Sequence, residues 1–177
     1  MKVTEFLFQK GNFISLYGES GSGKTSLLLH VINEIIPSIY ISTDGVSYQS
    51  RVEKTRWKKE VHFINVNSIY ELLLAIVRSS KLNPKVIAVD TINSIYRLTK
   101  KDKDLEYPLI LLFSLSRENN IKVILSWQVT DFNKVSGEKF MRKFSDEVLR
   151  VTRDHVILGN LRVCKFKIKP QGVEGCL

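Results

Sequence analysis

Short, wholly apolar runs alternate along this chain with segments whose apolar residues recur every three or four positions. Phe13 to Tyr17, Ile39-Tyr40-Ile41, Val61 to Val66, Val86 to Val89 and Val123 to Ser126 have the length and composition of buried strands. Between them, Ser26 to Ile36 carries Leu27, Leu28, Val31, Ile32 and Ile35 at helical spacing. Ser68-Ile69-Tyr70-Glu71 matches the capping box S-x-x-E and predicts a helix through Val77 or beyond. Leu105 to Glu118 reads as a second long helix with a bulky apolar stripe, and Asp44-Gly45 and Asn83-Pro84 as turns. Strands apolar along their whole length and separated by helices predict an α/β fold: a mainly parallel sheet with helices on both faces. Beyond Ser145 the rhythm changes. Glu147 to Thr152, Val156 to Leu158 and Arg162 to Lys169 predict short strands with tight turns, expected to be antiparallel at the sheet edge. With no internal repeat and no long linker, residues 1–177 are expected to form a single domain.

One junction carries explicit chemistry. Gly18-Glu19-Ser20-Gly21-Ser22-Gly23-Lys24-Thr25 matches the phosphate-binding loop G-x-x-x-x-G-K-[ST], with a predicted strand before it and a predicted helix after it. Such a turn gathers backbone N–H groups at the positive end of a helix dipole, where a nucleotide's phosphates can be held without burying an uncompensated charge. Lys24 is expected to reach the β- and γ-phosphates and the Thr25 hydroxyl to take one position on Mg²⁺, with Ser26 completing the cofactor-binding stretch. Asp90, at the C-terminal tip of an apolar strand, is the expected second Mg²⁺ residue. Asp44, at the tip of a neighbouring strand, is the candidate to orient and deprotonate water, although an Asp-Gly turn alone would also explain it.

Composition narrows the partners. Apolar content is 44% and charged content 25%, an ordinary globular balance. The longest wholly apolar stretch, Leu72 to Val77, is too short to span a membrane. Cys164 and Cys176 form no metal-ligand pattern and His30, His62 and His155 are scattered, so neither structural zinc nor a disulfide framework is expected, and a reducing cytoplasm is. The net charge of +9 suits a polyanionic partner. Its basic clusters include Lys100-Lys101-Lys103 and Lys134 to Lys143, both expected in loops.

Four segments in order resemble the ATPase core of the RecA/RadA recombinases, and most of all the short archaeal RadB- and RadC-type paralogues. Ile39 to Gly45 with the later Arg51 resembles that family's Y-I-D-T-E-G stretch and its arginine. Ile87 to Thr91 with Tyr96-Arg97 resembles its Walker B strand and continuation, Glu118 to Val129 the segment ending in N-Q-V, and Leu161 to Lys165 a strand near the end of the core. The resemblance implies a RecA-like fold, ATP and Mg²⁺ as cofactors, Arg51 packed on the adenine face, and Gln128 sensing the γ-phosphate. Asp44 stands where the family uses a catalytic glutamate.

The same resemblance implies DNA contacts, single- or double-stranded, by two loops. These correspond to Lys100, Lys101 and Lys103 and to the stretch holding Phe132, Lys134, Lys139, Phe140, Arg142 and Lys143. Basic residues would follow a phosphate backbone while aromatics stack on bases. Phe140 and Phe144, four apart, equally fit one face of a short core helix. No F-x-x-A motif precedes the phosphate loop and no separate N-terminal DNA-binding domain is expected, which favours an accessory paralogue, partnered by a RadA-type recombinase or another repair protein, over a stand-alone strand-exchange enzyme. A KaiC-type regulatory ATPase is the alternative, although such proteins usually carry two adjacent glutamates where this chain has Thr43-Asp44. A small-molecule kinase would need an arginine-bearing lid, and none is visible. Aspartate is shorter than glutamate by ~1.5 Å of chain, and a misplacement of ~1 Å can cost about a hundredfold in rate. ATP binding with slow hydrolysis is therefore expected. An Asp44→Glu variant should turn over ATP faster, and unchanged or lower steady-state phosphate release would remove Asp44 from the catalytic role.

Overall fold

The computed structural model describes residues 1–176. Its nine-stranded sheet runs in the order β3-β2-β4-β5-β1-β6-β7-β8-β9. The strands are β1 (Phe13–Tyr17), β2 (Ser38–Ser42), β3 (Val61–Asn65), β4 (Val86–Asp90), β5 (Lys122–Trp127), β6 (Glu147–Val151), β7 (Val156–Gly159), β8 (Arg162–Lys169) and β9 (Gly172–Gly175). The helices are α1 (Val3–Leu7), α2 (Lys24–Glu34), α3 (Gln49–Val52), α4 (Ile69–Ser80), α5 (Ser94–Thr99), α6 (Lys103–Asn119) and α7 (Glu138–Phe144). The first six strands in spatial order, β3 to β6, are parallel, and β6 to β9 form an antiparallel extension. The expected α/β architecture is borne out. One detail differs, because β6 pairs parallel with β1 and the antiparallel portion begins only at β7.

Why the strands are apolar throughout is visible in β4. Val86 and Ala88 enter the core beneath α1 and α2, while Ile87 and Val89 enter the opposite core beneath α4 and α6. Side chains alternate across a strand, so a strand covered on both faces needs apolar residues at every position. Ser68 caps α4 as expected, with Glu71 N–H donating to Ser68 Oγ at 3.1 Å, but the Glu71 carboxylate reaches one residue past the capping-box position and accepts from Asn67 N–H at 2.6 Å.

Two contacts fix the distal strands. Arg162, at the start of β8, pairs with Glu147 on β6, donates to the Phe6 carbonyl and lies 4.3 Å from the Phe6 ring centroid. Cys164 on β8 and Cys176 beyond β9 are disulfide-bonded, with Cα atoms 4.6 Å apart. The expectation of no disulfide is thereby corrected. The reason is β9, which the sequence reading did not include. It pairs antiparallel with β8, setting Gly175 opposite Phe166 and bringing the next residue beside Cys164.

Asp146 holds the opposite end of β1. Its Oδ2 accepts the N–H groups of Asn12 and Phe13 at 3.0 and 2.9 Å, and Arg117 from the last turn of α6 pairs with the same carboxylate. Burial raises the Asp146 pKa, but the hydrogen bonds from Arg117 and Phe13 outweigh it, so the carboxyl lies below the ordinary aspartate value. A depressed carboxylate contributes stability above its unfolded pKa of ~3.9, and that contribution is lost as pH falls through the folded value. Asp146→Ala should destabilise by about 1–2 kcal/mol at pH 7, and the gap from the parent chain should be smaller at about pH 3. Urea denaturation at the two pH values checks this, and an equal gap at both would contradict it.

Candidate functional site

Because β1, β2, β4 and β5 are parallel, their C-terminal ends open onto one edge of the sheet, the usual place for a ligand crevice in an open α/β fold. A cleft of about 430 Å³ lies there. Its walls come from the phosphate loop and α2 (Gly18, Gly21, Gly23, Lys24, Thr25), from the β2 end (Asp44), from the β4 end (Asp90, Thr91) and from Gln128 after β5.

The loop's shape depends on two glycines. A Cβ on Gly18 would lie 2.1 Å from the Val151 carbonyl oxygen, so no side chain fits where β6 crosses the loop. Gly23 has φ 104°, in the left-handed region, and forms the N-cap of α2 beneath Phe166 and Ile168 of β8. The turn therefore delivers its N–H groups to the cleft at the positive end of the helix. Lys24 Nζ donates to the carbonyls of Gly18 and Glu19 at 2.7 and 2.9 Å. Burial pushes its pKa down, opposed by the charges of Asp90 and Glu19. Arg153 pairs with Glu19 at 2.6 Å on the outer side of the loop.

Asp90 is the hub of the site. Its Oδ2 accepts from the Thr25 hydroxyl at 2.7 Å and the Tyr40 hydroxyl at 2.6 Å, and its Oδ1 accepts from Thr91 at 3.2 Å and from Ser126. Burial and the Asp90 charge hold the Tyr40 phenol far above its usual pKa, so Tyr40 stays a donor. The carboxylate is buried without a cationic partner at ion-pair distance among the described residues, and hydroxyls from four elements satisfy it. Among the described residues no cluster of three His, Cys, Asp or Glu side chains could form an all-protein metal cage. Thr25 and Asp90 suit a hard cation that keeps most of its other oxygen ligands from water or phosphate, which is how Mg²⁺ is usually held.

Asp44 is an exposed residue whose Oδ2 accepts from Thr91 Oγ1 at 2.8 Å. Desolvation of this carboxyl raises its pKa, the Thr91 hydrogen bond opposes that, and the Asp90 charge adds to it. Gln128 is placed by Asn93, which is fully buried. Gln128 N–H donates to Asn93 Oδ1 at 2.9 Å, and Asn93 Nδ2 donates to the Gln128 and Ser136 carbonyls at 3.0 and 3.2 Å. The Gln128 side chain accepts from Arg97.

Arg51 is exposed, donates to Ser26 Oγ at 2.8 Å, and lines both this cleft and an adjoining, more apolar cavity of about 420 Å³. Leu29, Asn33, Trp57, Pro170 and Val173 line that second cavity. Thus Lys24, Thr25, Asp90, Asp44, Gln128 and Arg51 all line one cleft. Tyr40, Thr91, Asn93 and Arg97 belong to the same site, and the sequence assigned none of them a role there. Tyr40, Thr91 and Arg97 lay in the segments that resemble the recombinase core, which was the available signal, and Asn93 had none.

The segments expected to touch DNA are partly different from expectation. Lys100, Lys101, Lys134, Lys139, Arg142 and Lys143 are exposed, and Phe132 is 84% exposed. Phe140 and Phe144 are only 5% and 8% exposed, because residues 138–144 form α7 and turn both rings into the core against α6. Base stacking by Phe140 is therefore ruled out. Lys103 begins α6 rather than lying in a loop, and Lys139 stands 3.6 Å from Asp102.

No family profile matches the sequence, and no curated protein matches it. Among solved structures, the chain resembles a KaiC-like protein of the hyperthermophilic archaeon Pyrococcus horikoshii OT3. The TM-score is 0.75 at 16% identity, over 98% of this chain and 94% of that one. At that identity the likeness speaks for the fold, which is RecA-like. Among the described residues no helix is long and apolar enough to cross a membrane.

The raised pKa of Asp44 has a stability consequence of definite sign. A carboxyl whose folded pKa exceeds its unfolded one destabilises the fold above that window and not below it. Asp44→Asn should therefore melt higher than the parent at pH 7 and level with it at pH 3. Calorimetric melting at both values tests this, and a lower melting temperature at pH 7 would contradict it.

Proposed function

We propose that the chain binds Mg·ATP in the cleft between the phosphate loop and Asp90, hydrolyses it slowly, and acts on DNA as an accessory RadA-like paralogue in recombinational repair. The observation that carries the nucleotide reading is the juxtaposition of a glycine-shaped amide turn, Lys24 and the Thr25–Asp90 pair at 2.7 Å. The loop amides and Lys24 would hold the phosphates, Thr25 and Asp90 the metal, and Arg51 with the neighbouring cavity the base. The bound metal would supply charge neutralisation at the phosphates. Asp44 would position the attacking water, its raised pKa making it a better proton acceptor than an ordinary aspartate. The one-methylene deficit relative to a glutamate favours slow turnover.

Support for DNA comes from placement. Asp102, between Lys101 and Lys103, meets Lys139 of α7, so the two basic segments touch at this pair although 30 or more residues separate them in sequence. With Phe140 buried, Phe132 remains as the exposed aromatic of the second segment. Binding there would be led by phosphate contacts, with stacking limited to Phe132. The KaiC-type regulatory reading has its own support in the KaiC-like structural neighbour. It predicts nucleotide binding without DNA binding.

A gel-shift titration on single- and double-stranded DNA, with and without ATP, separates the two readings. Lys139, Arg142 and Lys143 changed together to Glu should weaken DNA binding. They should also flatten its salt dependence, each lost phosphate contact lowering the slope by about 1. Absence of binding by the parent chain at low salt would favour the regulatory ATPase.

A further inference from the structure

We propose that Arg97 is the residue that lets this cleft distinguish a nucleoside triphosphate from a diphosphate. The proposal rests on the nucleotide reading above and adds a specificity-determining side chain to it.

Arg97 lies on α5, seven residues past Asp90, and its side chain lines the same cleft as Gly21, Lys24 and Thr25. The residue is half-buried, yet among the described residues no carboxylate lies within 4.0 Å of its guanidinium. Its one side-chain hydrogen bond goes to the neutral amide of Gln128. A partly desolvated charge whose only partner is neutral is unusual, because burial of a charge is costly unless an opposite charge compensates it. Arg162, the other half-buried arginine among the described residues, has Glu147. Arg97 faces an anion-binding loop instead.

Its position is also fixed rather than adaptable. Asn93, one helical turn earlier and fully buried, clamps the backbone of Gln128 from both sides, and the Gln128 side chain in turn holds one Nη of Arg97. Four of the five guanidinium N–H groups are left for other acceptors. A planar fork pre-aimed into a phosphate cleft is suited to a two-point contact with phosphate oxygens. Arg97 and Gln128 line the cleft together with Asp44, Asp90 and Thr91, the side chains proposed above to serve the attacking water and the metal or hydrogen-bonded to them. The phosphate that the water attacks and the metal neutralises would lie among these side chains, and a diphosphate lacks it. Arg97 also acts on the proposed water-orienting residue, since its charge lowers the Asp44 pKa against the larger effect of burial.

The test is calorimetric titration of Mg·ADP and of a non-hydrolysable ATP analogue into the parent chain, Arg97→Ala, Arg97→Lys and Gln128→Ala, each checked for folding by circular dichroism. The expected result for Arg97→Ala is an analogue affinity lower by about 10- to 100-fold, with ADP affinity within about twofold of the parent. Arg97→Lys should recover part of the loss, keeping the charge without the fork. Gln128→Ala should weaken the analogue selectively while leaving the protein folded, so the outcome does not depend on one variant. If the parent binds both nucleotides and Arg97→Ala weakens them equally or not at all, the role of Arg97 is overturned and the nucleotide site stands. If the parent binds neither, the nucleotide reading fails and the proposal falls with it.

Discussion

The contact between Gly18 and the Val151 carbonyl sets the geometry on which the rest of the site depends. Because β6 crosses so close to the end of β1, the chain must leave β1 without a side chain and turn at once. Gly23, left-handed and pressed under Phe166 and Ile168, then starts α2. The loop is thus gripped by β6 on one side and the β8–β9 extension on the other. Its amides are aimed by packing from strands more than a hundred residues later in sequence. The antiparallel extension is therefore part of the site rather than decoration at the sheet edge, and the disulfide between Cys164 and Cys176 closes the hairpin that supplies Phe166 and Ile168.

A second constraint is the buried carboxylate of Asp90. Hydroxyls from α2, β2, β5 and the segment after β4 converge on it, which ties the phosphate loop to three neighbouring strand ends. Such an arrangement satisfies the charge chiefly by hydrogen bonds, and among the described residues no cation lies within 4.0 Å of it to compete with an incoming metal. Asp44, Arg97 and Gln128 stand on the outer rim of the same network, where burial is incomplete. Two of these side chains carry charge without full compensation, the pattern expected where a fold trades stability for a ligand.

How much of this could be read from residues alone depended on the range of the interaction. The phosphate loop is contiguous, and its chemistry is written in eight consecutive positions. Asp90 was legible because a strand buried on both faces must end where its first charged residue appears, and β4 spans Val86–Asp90 as expected. The β8 bounds were legible for the same kind of reason, from alternation between Arg162 and Lys169. What failed was long-range. Tyr40 looked like one more apolar strand residue, and nothing local shows its hydroxyl reaching Asp90 fifty positions away. The five-residue α1 is too short to announce itself by periodicity and is held by Lys2 and Thr4 on Glu34 of α2. Phe140 and Phe144 had the spacing of a helix face, and that local signal proved a better guide than their basic neighbours. The cysteine pair was invisible because β9 carries two glycines in four residues and has little strand character of its own.

The central claim is that main-chain amides beside Lys24, facing Asp90, hold the phosphates of a magnesium nucleotide. Its most direct test is isothermal calorimetry of Mg·ATP against the parent chain and Lys24→Ala, with melting of both proteins followed in the same buffers. The account predicts saturable one-site uptake by the parent with a ligand-dependent rise in melting temperature, and loss of both in Lys24→Ala while the variant stays folded. A folded parent chain that takes up no nucleotide, or a Lys24→Ala variant that binds as well as the parent, would contradict it.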